Sequence, residues 1–141
     1  MKRFFLIAIM FFSFSANAQL QSVHIEENYV VYKAREGNVD VDLYFHQDTD
    51  PSKVDINVLT QLINYTNAVI QGSLKSRRSF VPLSYTYKFK PNKKGKTAKD
   101  KHSLTMSYEG TNSYGGIVED IAQLEFNAKL KETTGSVMLR M

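Results

Sequence analysis

The chain has 141 residues, 18 basic and 14 acidic side chains, and no cysteine. That length suits one domain with its own core. The lack of cysteine excludes disulfides, thiolate metal sites, CxxC redox chemistry, cysteine nucleophiles and a lipidated N-terminal cysteine. The small positive net charge hides a segregated distribution. Residues 19–73 carry Lys33, Arg35 and Lys53 against eight acids, whereas residues 74–101 carry ten basic side chains against Asp100 alone. Segregation of this kind bears on solubility and encounter, not on fold.

Met1, Lys2 and Arg3 form a positive start, and residues 4–14 form an apolar run too short to span a bilayer. Ser15-Ala16-Asn17-Ala18 then places alanine at the two positions where signal peptidase needs small side chains. The expectation is a cleavable secretory signal peptide over 1–18 and one mature domain over 19–141, without a transmembrane anchor. That domain is expected in the periplasm or outside the cell.

Val39, Val41, Leu43 and Phe45 alternate with Asp40, Asp42, Tyr44 and His46, the period of two of a half-buried strand. Residues 23–34, rich in Val, Ile and Tyr, are expected to pair with it across the turn at 35–38. Asp50-Pro51 offers a helix start, because Asp caps free amides and proline is tolerated at the first position. Leu59, Leu62, Ile63, Thr66, Ile70 and Leu74 follow at spacings of three and four, and Gly72-Ser73 marks the end.

Val81, Leu83, Tyr85, Tyr87 and Phe89 then alternate with Pro82, Ser84, Thr86, Lys88 and Lys90, and Leu104, Met106 and Tyr108 continue the pattern in a partner strand. Residues 117–130 form a further strand, with Val118, Ala122, Leu124, Phe126 and Ala128 on one face, and 136–141 a short closing one. Short meander connections favour antiparallel pairing. The expected fold is α+β: a single curved antiparallel β-sheet of about six strands, in the order β-β-α-β-β-β-β, packed on one long α-helix.

Three groups of side chains suggest chemistry. Asp40, Asp42 and His46 share one face of a straight strand, where oxygen and imidazole ligands could converge on a divalent metal. Alternation alone also requires polar residues there. His24, His46 and His102 show no zinc spacing, and each is expected at the surface or a strand edge. Lys93, Lys94, Lys96, Lys99 and Lys101 crowd a long hairpin loop and would attract anionic envelope glycan or lipid headgroups. Export speaks against nucleic acid, and a lysine-rich hairpin tip also discourages edge aggregation.

No GxSxG, Walker loop or GxGxxG is present, and no cofactor is expected. The function expected is a non-catalytic binding or structural module of the bacterial envelope or secretome, with a protein partner as a further option. Two alternatives stand beside it: a carrier whose curved sheet encloses a small apolar or lipid ligand, lined by 81–89, and a metal-dependent enzyme built on Asp40, Asp42 and His46.

Overall fold

A computed structural model describes residues 23–34, 37–90, 100–111 and 114–133, and the backbone of 137–140. The expected signal peptide and Lys93, Lys94, Lys96 and Lys99 lie outside the described residues. Among the described residues seven strands, β1 (Val23–Ile25), β2 (Tyr29–Ala34), β3 (Gly37–Phe45), β4 (Val81–Lys90), β5 (Lys101–Thr111), β6 (Ile117–Phe126) and β7 (Val137–Arg140), lie side by side in chain order in one sheet. The helix α1 (Ile56–Ser73) falls between β3 and β4. Among the described residues no helix is long and apolar enough to cross a membrane.

Among the described residues the α+β class and the single long helix hold, with four local differences. Residues 23–34 form two strands, because the chain turns at Glu26-Glu27-Asn28, where the Glu26 amide donates to the Tyr29 carbonyl at 2.9 Å. β3 and β4 run parallel, since the helical crossover between them returns the chain to the same end of the sheet; all other neighbours are antiparallel.

The third difference lies in β4. The register against β5 slips between Pro82 and Ser84, which makes Leu83 the extra residue of a bulge and reverses the alternation before it. Pro82 is therefore buried, while Val81 and Leu83 are only half-buried. Pairing with β3 begins at Ser84, so at Pro82 the strand has only β5 beside it, a position that tolerates a missing N–H.

The helix also starts later than Asp50-Pro51 suggests. Asp50 caps a 3-10 turn at Pro51–Lys53, and Asp55 caps α1 itself, its Oδ1 accepting from the amides of Asn57 and Val58. The expected apolar face is the buried one: Leu59, Leu62, Ile63, Thr66 and Ile70, joined by Asn67.

Two tyrosines of the sheet reach the helix one turn apart. Tyr85 donates to Oδ1 of Asn67 at 2.8 Å, and Nε2 of Gln71 donates to the Tyr32 hydroxyl at 2.9 Å. These directional bonds fix the rotation of the helix on an otherwise apolar face, which packing alone specifies less sharply. Beyond the end of α1, Leu74 lies against Gly110 of β5, where a Cβ would stand 2.8 Å from its Cδ2.

Candidate functional site

The start of α1 does not close onto the sheet. A cleft of about 250 Å³ remains there, bounded by Lys53, Val54, Asp55 and Val58 on the helix side and by Tyr87, Phe89, Asp100 and His102 on the sheet side. Ala128 and Leu130 form the remaining wall.

The chain between β3 and α1 delivers the helix side. The His46 amide donates to the Tyr87 carbonyl at 2.9 Å, and the Phe89 amide donates to the buried Thr49 hydroxyl at 3.0 Å. Residues 46–49 thus run along the end of β4 and take up amides and carbonyls left without a β3 partner. The next residues carry Lys53 and Asp55 to the cleft mouth.

The third wall is a turn after β6. Asn127 Oδ1 accepts from the amides of Lys129 and Lys131, and the Leu130 amide donates to the Asn127 carbonyl. Leu130 has φ +60°, the left-handed region that branched apolar residues avoid. Tyr65 ties this turn to the helix by donating to Oε1 of Glu132 at 2.7 Å, and its ring meets Phe126 edge-on at 5.6 Å. That carboxylate pushes the Tyr65 phenol up to about 12, with burial adding to the effect.

At the floor of the cleft, the Tyr87 hydroxyl and His102 Nδ1 are 2.7 Å apart. The imidazole stacks on Phe89 with centroids 4.9 Å apart, and only 8% of the His102 residue is exposed. Burial, with the Asp55 charge adding, holds the phenol protonated, and among the described residues His102 Nδ1 is its one hydrogen-bond partner. Tyr87 is therefore the donor and Nδ1 the acceptor, which places the imidazole proton on Nε2. The buried side-chain atoms left without a partner among the described residues are Asn64 Oδ1, Thr66 Oγ1 and Asn67 Nδ2, all on α1. Burial holds the imidazole below its ordinary value of 6.5, and Asp100 opposes that shift without cancelling it.

The histidine expected at a surface or strand edge is thus a buried one. Period two offered the signal: counting back from Tyr108, Met106 and Leu104 puts His102 on the core face. Tyr87 and Phe89 stand on the expected apolar face, and both line the cleft. No pattern in the sequence marked Leu130 or Asp55 as neighbours of that face.

The other candidates lie elsewhere. Asp42 Oδ2 accepts from the exposed Tyr44 hydroxyl at 3.3 Å on the outer face of the sheet. His46 lies beyond β3, where its Nδ1 accepts from the Asp48 amide at 3.1 Å and stands 3.5 Å from the Asp48 carboxylate. Among the described residues no three His, Cys, Asp or Glu side chains are grouped to hold a metal ion, so Asp40, Asp42 and His46 are not brought together as one site. Lys101 is exposed and sits directly opposite Lys90 across β4 and β5. Comparison with known proteins found no matching family model, no similar curated protein and no similar solved structure.

Proposed function

We propose that the mature chain is an exported, non-catalytic binding module that holds a small amphipathic ligand in the cleft at the start of α1. The observation that carries this reading is the cleft itself: Val54, Val58, Ala128 and Leu130 give it apolar walls, and His102, 8% exposed and hydrogen-bonded to Tyr87, lies at its floor. Apolar walls around a few polar groups are the usual make-up of a ligand pocket.

Binding is favoured over turnover because the phenol and the imidazole, the two groups that could relay a proton, are engaged with each other. The test is native mass spectrometry of protein purified from its own host. Wild type should carry an extra small-molecule mass that Ala128→Phe, which fills the cleft, lacks. A clean apo mass for wild type with nothing extractable would overturn the reading.

A second reading rests on Lys90 and Lys101. Like charges directly opposite on a sheet repel, and an anionic envelope glycan or headgroup would relieve that repulsion while also meeting the lysines of residues 91–99. Replacement of Lys93, Lys94, Lys96, Lys99 and Lys101 by glutamine should then lower the salt needed to elute the protein from heparin. Unchanged elution removes this reading.

A further inference from the structure

We infer that the end of the sheet opposite the cleft docks on an anionic lipid bilayer, with Tyr114 and Ile117 entering the interface while Arg77 and Arg78 meet the headgroups. This inference does not depend on the ligand proposed for the cleft.

Two chain segments meet at that end. The connection from β5 to β6 finishes in Tyr114, Gly115 and Gly116 and leads into Ile117, four consecutive exposed residues. Tyr114 is 95% and Ile117 76% exposed, the two largest values among the large hydrophobic side chains described. Gly115 takes φ +86° and, with Gly116, puts no side chain between them. The second segment is the 3-10 turn Arg77–Ser79, whose two arginines are exposed. Its Ser79 hydroxyl accepts from the Thr111 amide at 2.9 Å, and Thr111 lies directly opposite Ile117 across β5 and β6. Neighbouring strands stand about 5 Å apart, so one strand separates the basic turn from the apolar tip.

The chemistry of the two segments selects the partner. Side chains this exposed have no protein walls beside them to shape a pocket, so they suit entry into a partner and not reception of one. Tyrosine favours the boundary between headgroups and acyl chains, because its ring is apolar and its hydroxyl stays wet. The sequence from Leu74 to Ser79 holds Lys75, Arg77 and Arg78 and no acid. Forked arginine donors match headgroup phosphates, and each basic side chain near an anionic surface tightens binding about fivefold. Glu109 and Glu119 pair across the strands two residues from the tip and oppose that attraction. Docking therefore needs the apolar pair and the arginines together.

The chain contains no tryptophan, so Tyr114→Trp in the mature protein makes the tip its own fluorescence reporter. The probes are vesicles of phosphatidylcholine alone and of equal parts phosphatidylcholine and phosphatidylglycerol. Emission should shift to the blue with the anionic vesicles only. Adding Arg77→Gln and Arg78→Gln should weaken that binding about 25-fold, and Ile117→Ser should weaken it severalfold. Replacing Lys93, Lys94, Lys96, Lys99 and Lys101 by glutamine should leave the shift in place. No shift with anionic vesicles overturns the inference. A shift that survives the arginine changes but disappears with the lysine changes also overturns it, since the contact then lies at the other end of the sheet. An equal blue shift with soluble polyglutamate overturns the lipid assignment in favour of an acidic protein partner.

Discussion

Tyr87 donates its hydroxyl proton to Nδ1 of His102 across 2.7 Å, joining the end of β4 to the start of β5 beneath the cleft. Both side chains leave the apolar face of the sheet, and among the described residues each is the other's one side-chain hydrogen-bond partner. Removing one strands the other.

Tyr87→Phe should therefore destabilise the protein by about 1–3 kcal/mol, the cost of an orphaned buried group. His102→Phe should cost a similar amount. The double variant should cost less than the two single effects together, because no unpaired polar atom remains. Urea midpoints for the four proteins give the coupling directly, and strictly additive losses would show that the bond contributes nothing.

Stability should also fall below neutral pH. The folded state holds His102 below the ordinary 6.5, so on acidification the unfolded chain takes up this proton first. The contribution is fully present above 6.5 and is lost as pH falls towards the depressed folded value. Asp55, Asp100, Lys53 and Tyr87 line the same cleft beside this group. A urea midpoint lower at about pH 5.5 than at about pH 8 is expected in wild type, with a smaller difference in His102→Phe. Equal pH dependence in the two proteins would contradict it.

At the helix start, Asp55→Ala removes the acceptor for the amides of Asn57 and Val58. The expected loss is about 1 kcal/mol, whereas Asp55→Asn, which can still cap, should lose much less. Thermal melts distinguish the two. A large loss in both would point to the charge and not the cap.

Leu130→Gly separates the backbone from the wall. Glycine relaxes the φ of +60° while removing apolar surface from the cleft, so the two effects on stability oppose each other. The net change should stay within about 1 kcal/mol. Binding of the host-purified ligand in the cleft should weaken severalfold. Undiminished binding would show that this wall touches no ligand.

Much of the fold was legible in local patterns. The spacing of Leu59, Leu62, Ile63 and Ile70 gave the buried helix face, and alternation around Val41 and Leu43 and around Leu104 and Met106 gave the core faces of two strands. Local patterns failed where a single residue changed the count. The bulge at Leu83 reversed the face of Val81 and Leu83 without altering the hydrophobicity of the run, so period two kept reporting the wrong side.

The cleft was less legible, for a related reason. Asp50 and Asp55 are equivalent caps in sequence, each able to accept from amides two residues ahead, and only the packing of α1 on the sheet makes the second one the true helix start. His102 was within reach of the alternation rule, but its partner was not: pairing Tyr87 with His102 depends on the diagonal set by the β4–β5 register.

The sequence by itself determined the α+β class, one helix with its apolar stripe and most core positions, because these depend on periodicities confined to single elements. Only the tertiary structure decided that β3 and β4 run parallel, that the start of α1 stands off the sheet, and that Asp55, Tyr87, His102 and Leu130 border one cleft. Those relations join residues far apart in the chain, and they are set by strand register, crossover and side-chain packing, none of which leaves a periodic trace.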